Sequence, residues 1–261
     1  MLFSTPYALL TALLFLITLF FTPRPRADLL IFSPHPDDAT LCCAGLIQQS
    51  LAQGKTVHVV DITDGDGFLE AAQALFGSTS SANMKHLGII RRKEEVRAMS
   101  LLGLSRGNIT FLGYPDGWLP EVYANEEEGA FVNPYTQRSS THTHVPYTKQ
   151  SLLADITSLI TKHQPTEIYV SDAKDNVLDH SIVGLAVLNV GNNTGYSRRI
   201  HTYVIHTNRD HADVPMTITL TNAQKQRKAR AVEAYTSQTA VEGEYLRWFV
   251  QGKEVFYRYV K

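Results

Sequence analysis

The chain has 261 residues, 44% of them hydrophobic, and a formal net charge of -1 at pH 7. A chain of this length can bury one good-sized α/β core. The near-neutral balance gives no basic footprint, so a nucleic-acid partner is not expected. The two cysteines, Cys42 and Cys43, are adjacent. Neighbouring cysteines rarely bridge because the geometry is strained, so both are predicted to be small buried residues of the first helix.

The first 26 residues differ from the rest of the chain. The stretch 8–21 is apolar and uncharged, and it is followed by two arginines with none before it. It is long for a signal-peptide core and short for a spanning helix. Sequons at Asn108 and Asn192 would suit a secreted chain. Residues 1–26 are therefore expected to be a membrane anchor, single-pass in a membrane such as the endoplasmic reticulum, or a signal peptide; residues 27–261 are expected to form one domain.

A turn rich in metal-binding side chains follows the first predicted strand. The apolar run 29–33 leads directly into Pro34-His35-Pro36-Asp37-Asp38, and a helical pattern covers 39–53. Ligand sites of open α/β sheets collect at the carboxyl ends of such strands. His35 and one aspartate could bind a divalent metal, leaving the other aspartate as a base. The alternative is a proline-rich turn with Asp38 as an ordinary helix N-cap.

Two further predicted strands end in aspartate-bearing turns. The strand 56–62 is followed by the turn that carries Asp64, and the strand 108–112 by the turn that carries Asp116. The carboxyl ends of parallel strands share one edge of a sheet, so both aspartates are expected near the first turn. For Asp64, a plain Asp-Gly turn is the alternative. A calcium loop fits poorly because the acidic ligand at its twelfth position is missing.

A later histidine supplies a third candidate ligand. His180 follows the predicted strand 167–171, near the start of a helix. With His35 and Asp38 it gives the three protein ligands of an open catalytic zinc site.

Three other stretches receive weaker predictions. Residues 68–86 are expected to form a loop over the site, 225–235 a basic surface helix, and 245–259 aromatic strands.

Taken together, these pieces resemble the LmbE-like, or PIG-L, family of zinc-dependent N-acetylglucosaminyl deacetylases. The matching motifs occur in the order that the family has: Pro34-His35-Pro36-Asp37-Asp38, Arg91-x-x-Glu94, Phe111-Leu-Gly-Tyr-Pro-Asp116, Asp179-His180-x-x-x-Gly184 and Tyr235-x-Ser-Gln238.

The resemblance implies a fold and a set of roles. The fold is α/β, a Rossmann-like doubly wound, mostly parallel sheet with helices on both faces. The cofactor is Zn²⁺, or another divalent metal. The implied metal ligands are His35, Asp38 and His180. The implied general base is Asp37, and the residues implied at the sugar are Arg91, Asp64 and Asp116.

The implied reaction removes the N-acetyl group from an N-acetylglucosamine-containing substrate, such as N-acetylglucosaminyl-phosphatidylinositol or another glycoconjugate. The apolar N-terminus makes a lipid-linked substrate and contact with a membrane attractive, by analogy alone. A nucleotide-binding Rossmann protein fits poorly, because no glycine-rich fingerprint follows the first strand.

One departure from the family pattern concerns the reaction itself. The family often has a second histidine three residues before the last ligand, assigned to transition-state stabilisation or acid catalysis, and here that position is Val177. Asp37 could shuttle the proton both ways, or His142, His144 or His206 could take over the role from elsewhere in the chain. A metal-retaining, carbohydrate-binding pseudoenzyme is the alternative reading.

Overall fold

The structure is a computed structural model, which describes residues 27–125, 129–206 and 215–259. The strands are β1 (Leu29–Ser33), β2 (Val57–Thr63), β3 (Ile109–Tyr114), β4 (Glu167–Ser171), β5 (Ile200–Tyr203), β6 (Pro215–Thr219) and β7 (Lys253–Arg258). The α-helices are α1 (Asp38–Ala52), α2 (Leu69–Phe76), α3 (Ser81–Leu102), α4 (Leu119–Ala124), α5 (Lys149–His163), α6 (Leu178–Thr194), α7 (Asn222–Val232) and α8 (Thr236–Trp248).

The strands form one sheet in the order β3-β2-β1-β4-β5-β7-β6. The first five run parallel, whereas β7 pairs antiparallel with both β5 and β6. The predicted Rossmann-like, mostly parallel α/β sheet is therefore confirmed. The chain order reverses between β1 and β4, and ligands of open α/β sheets bind in the crevice beyond the carboxyl ends of strands at such a point.

Alternating side chains of the buried strands face two separate cores. Leu29 and Ile31 belong to the core that α1, α3, α7 and α8 cover. Leu30 and Phe32 belong to the core beneath α4, α5 and α6. A strand covered by helices on both faces needs apolar residues at every position. This is why β1 reads as an unbroken apolar run and why its carboxyl end is held rigidly between two layers.

One of the weaker predictions was wrong, and another was right only in part. The expected loop over 68–86 contains α2 and the start of α3, whose first turn is capped by the hydroxyl of Ser80. Ala71 and Ala72 of α2 are buried against Met84 and Leu87 of α3, so tertiary packing decides helix formation in a stretch with a weak sequence pattern. The aromatic stretch 245–259, expected as strands, contains the strand β7 (Lys253–Arg258), but its first residues, up to Trp248, form the end of helix α8.

The expected location was also wrong. Among the residues that the structure describes, no helix is both long enough and apolar enough to cross a bilayer, so the predicted single-pass membrane anchor is not supported. The apolar segment 1–26, on which that prediction depended, lies outside the described residues.

Candidate active site

Three side chains from two distant segments form a triangle at the carboxyl edge of the sheet. Nδ1 of His35 lies 3.2 Å from Nε2 of His180, and Oδ2 of Asp38 lies 3.3 Å from each of these nitrogens. Ligands arranged as a tetrahedron at the zinc bond length of 2.0–2.1 Å stand about 3.3 Å apart. The triangle therefore fits a tetrahedral zinc ion with one position left open, and the structure brings the three predicted ligands together.

The turn after β1 is held by hydrogen bonds to its own backbone and to β2. The hydroxyl of Ser33 donates to the carbonyl of His35 at 2.7 Å, and the hydroxyl of Thr63 donates to the carbonyl of Pro34 at 2.9 Å. The backbone N–H of His35 donates to Oδ2 of Asp38 at 2.8 Å. The imidazole and the carboxylate are thus oriented locally, before the rest of the site is considered.

His180 is fixed in the first turn of α6 by contacts on both sides. Its carbonyl accepts a hydrogen bond from the hydroxyl of Ser171 at 2.8 Å. A Cβ at Gly184 would lie 2.5 Å from the carbonyl oxygen of Ser171, so only glycine lets the helix approach β4 this closely. Oδ2 of Asp175 lies 3.6 Å from Nδ1 of His180. A carboxylate facing the far nitrogen of a ligating histidine orients the ring and raises its basicity.

The far nitrogen of His35 faces two further carboxylates. Nε2 lies 3.0 Å from Oδ1 of Asp116 and 3.3 Å from Oδ2 of Asp179. Asp179 also accepts backbone hydrogen bonds from Gly117 at 2.6 Å and Leu119 at 3.1 Å, which tie the turn after β3 to α6. Burial alone would lower the pKa of His35, but Asp116 and the other carboxylates hold this pKa well above its usual value. When His35 is neutral and Nε2–H donates to these carboxylates, the lone pair is on Nδ1, the nitrogen that faces Asp38 and His180.

Asp37, the predicted base, has a backbone conformation that L-residues rarely adopt. Its φ is 137°, and such outliers persist only where the surrounding structure imposes them. Its Oδ2 lies 3.3 Å from Nη2 of Arg91. Burial raises the pKa of Asp37 well above the usual value, and the guanidinium of Arg91 offsets this only in part. Asp37 is therefore a stronger base than an exposed aspartate, as proton abstraction near neutral pH requires.

The late Tyr235-x-Ser-Gln238 motif supports Arg91. The backbone N–H and hydroxyl of Ser237 donate to the carboxylate of Glu94 at 2.8 and 2.5 Å. With its amide oriented so that the carbonyl faces the guanidinium, Gln238 accepts hydrogen bonds from Arg91. Two motifs that are far apart in the chain thus form one buried support that holds the guanidinium against Asp37.

Two members of the triangle, His35 and Asp38, line a pocket of about 420 Å³. Asp37, Arg91 and Asp116 line it, together with Glu242 and Tyr245 of α8. Neither of these last two residues was predicted: Tyr245 was expected on a strand, and no motif includes Glu242. Glu242 lies at a kink within α8, with φ -128° and ψ 36°, and Tyr245 lies one turn later.

Asp64, also expected at the sugar, does not line this pocket. It is 2% exposed, and its carboxylate contacts His142 at 2.9 Å and Arg138 at 3.2 Å. Nε of Arg92 lies 3.6 Å away. The structure therefore uses Asp64 to attach the segment after α4 to α3, apart from Asp116.

A doubly wound sheet with two histidines and a carboxylate at its switch point defines an α/β protein with a candidate catalytic zinc centre. The family model described as "PIG-L: GlcNAc-PI de-N-acetylase" matches residues 30–190. Because this match covers more than half of the chain, the chain belongs to the PIG-L family, a family of hydrolytic deacetylases. A comparison with curated proteins gives no match.

Solved structures share the fold at low sequence identity. The N,N'-diacetylchitobiose deacetylase from Pyrococcus horikoshii is similar with a TM-score of 0.61 and 20% identity, over 97% of this chain and 92% of that one. A deacetylase of teicoplanin biosynthesis gives a TM-score of 0.62 and 19% identity, over 88% and 98% of the two chains.

A structure with a different activity shares the fold as well. The 4-carboxy-2-hydroxymuconate hydratase GalB from Pseudomonas putida gives a TM-score of 0.58 and 16% identity, over 84% of this chain and 81% of that one. The fold therefore does not decide the reaction, which has to be argued from the site.

Proposed function

We propose that the protein is a zinc-dependent hydrolase that removes the N-acetyl group from an N-acetylglucosamine-containing substrate. The observation that carries the proposal is the zinc-sized triangle of His35, Asp38 and His180 beside the buried carboxylate of Asp37, at the mouth of an open pocket. Membership of the PIG-L family supports the N-acetylated amino sugar as the substrate class.

The chemistry divides between the cofactor and the chain. Zinc held by His35, Asp38 and His180 would polarise the acetamide carbonyl and lower the pKa of water to about 7. Asp37 accepts the proton of the attacking water as the new C–O bond forms. The C–N bond then breaks, the amine takes the proton back from Asp37, and the acetic acid that leaves ionises to acetate. Arg91 keeps Asp37 in place between these two proton transfers.

The test is acetate release by the full chain after metal removal and restoration. We expect the chelated protein to release no acetate from N,N'-diacetylchitobiose or from other N-acetylglucosamine conjugates, and added zinc to restore release. Asp37→Asn should bind zinc normally and lower kcat by about 10²–10⁴-fold, the usual contribution of a general base. If the zinc-loaded protein releases acetate from none of these conjugates, the proposal is wrong.

Val177 favours a second candidate, a pseudoenzyme that binds metal and sugar without turnover. This candidate requires zinc and an N-acetylated sugar to bind without acetate release, and it requires Val177→His to create activity. Turnover by the wild-type protein would eliminate it.

A further inference from the structure

We propose that His206 supplies a hydrogen bond to the acetamide oxygen as charge develops there, in the pocket that Asp37 also lines. It would thus take the part that the histidine absent at position 177 plays elsewhere. The inference rests on the proposed deacetylation and adds a catalytic residue to it. It starts from a spatial observation: His206, from the segment after β5, lines the same pocket as Val177.

The ring of His206 stands directly beside the metal triangle. Its centroid lies 4.7 Å from that of His180, with the two planes at 75°. A ring this close to His180 lies beside the residues that would hold the metal, where the acetamide would have to bind. The valine at position 177 has no polar atom to offer there.

Two contacts hold the ring of His206 in place. Oη of Tyr245 lies 2.8 Å from Nδ1, and the two rings stack with centroids 5.7 Å apart at 15°. The backbone N–H of His206 donates to Oδ2 of Asp175 at 3.2 Å. The same carboxylate oxygen faces Nδ1 of His180 at 3.6 Å. One buried acid therefore sets both histidines relative to each other.

The proposed role requires the tautomer of His206 in which Nδ1 accepts a hydrogen bond from Oη of Tyr245. When Nδ1 accepts the phenolic proton, the ring carries its own hydrogen on Nε2. Within the described parts of the chain, Nε2 of His206 has no hydrogen-bond partner. An N–H donor free of other partners and fixed by its neighbours is what stabilisation of a developing oxyanion requires.

Two other histidines, His142 and His144, do not line the pocket. Nε2 of His142 lies 2.9 Å from Nη1 of Arg92, and its ring also contacts Asp64, away from the pocket. His144 is exposed, with a φ of 63°. His206 is therefore the histidine of these three that the fold brings to the site.

Affinity for a tetrahedral analogue tests the proposal without depending on turnover. The probe is an N-acetylglucosamine glycoside whose acetamide is replaced by a methylphosphonamide; the free-amine glycoside serves as the product control. His206→Phe keeps the ring and removes both nitrogens. We expect it to lower kcat and analogue affinity by about 10²-fold, with zinc content and amine affinity unchanged. His206→Gln, which keeps an N–H donor, should recover part of the loss.

The controls separate this role from a structural one. His144→Asn replaces an exposed histidine with a residue that tolerates positive φ. It should change neither kcat nor the affinity for the analogue. In the His206→Phe background, Val177→His should restore at least tenfold of the lost affinity, because it returns a donor to the vacant position. If His206→Phe fails to fold, Tyr245→Phe should still weaken the analogue several-fold by releasing the ring.

The outcomes are distinguishable from those of the proposed function. Wild-type protein that binds the analogue but releases no acetate would contradict deacetylation, and the comparison of analogue affinities would still decide the part of His206. Equal analogue affinity of the wild type and a folded His206→Phe variant would overturn the inference, even if acetate release is observed.

Discussion

The two halves of the metal site are built in different ways. The half after β1 is one short turn, in which His35, Asp37 and Asp38 are close in sequence and are joined by local hydrogen bonds. The half beyond β4 and β5 is assembled from two segments, which bring His180 and His206 together through Asp175. The first half depends on local geometry, whereas the second depends on the order of the strands.

The two halves of the site therefore differ in how readily one side chain can replace another. A local turn can change little without losing its ligands. A half-site assembled from two segments can lose a side chain in one segment and regain the function from the other. Val177 and His206 show how such an exchange could occur within the same pocket.

The largest expected effect comes from removing one ligand of each half. His35→Ala and His180→Ala should each weaken zinc binding by well over 100-fold, more than the loss of an outer-shell partner causes. Competition with a chromophoric chelator measures both affinities. If either variant binds zinc as tightly as the wild type, the replaced histidine is not a metal ligand.

A smaller effect should single out the assembled half. Asp175→Asn removes the charge that orients His180, and zinc affinity should fall by about 10–100-fold. Asp172→Asn is the matched control, because Asp172 lies on the same segment but accepts from Thr202 at 2.8 Å. Its zinc affinity should stay at the wild-type value, and an equal loss in both variants would show that only the segment as a whole matters.

The smallest expected effect tests the turn after β2, which belongs to neither half. Burial, helped by Asp64 and Asp116, raises the pKa of Asp66 to about 8. The folded state then keeps a proton that the unfolded state loses above about pH 4, so this group lowers stability as pH rises from about 4 to 8. Asp66→Asn should stabilise the protein by roughly 1–3 kcal/mol at pH 7 and by almost nothing at pH 4.

Denaturant unfolding at the two pH values measures this difference. Equal free energies of unfolding for wild type and variant at pH 7 would show that the Asp66 carboxyl is not protonated in the fold. Loss of zinc affinity in the same variant would connect this turn to the metal site.

Some features could be predicted because they are local. The apolar run of β1 and the turn carrying His35 and Asp38 are adjacent in sequence, so their proximity needs no knowledge of the fold. The parallel sheet follows from alternating strand and helix patterns. Helix α2 and helix α8 could not be predicted with the same success, because tertiary burial and not periodicity decides them.

Residues at the same sheet edge also differ in a way that the sequence could not indicate. Asp64 and Asp116 both follow parallel strands, and both were expected at the sugar. In the structure, the carboxylate of Asp116 contacts His35 at 3.0 Å, whereas the carboxylate of Asp64 contacts His142 at 2.9 Å. A sheet edge is wide enough to hold two separate clusters, and only the packing of the segment after α4 decides which aspartate joins which.

The sequence by itself determined the layered α/β architecture, the metal-binding turn after β1 and the absence of a histidine at position 177. The tertiary structure decided how His180, 145 residues beyond His35, completes the triangle. It also decided that His206 and Tyr245 share the pocket with Val177. The physical reason is that backbone hydrogen bonds and side-chain periodicity are local properties, whereas convergence across strands depends on sheet order and on which helices pack above it.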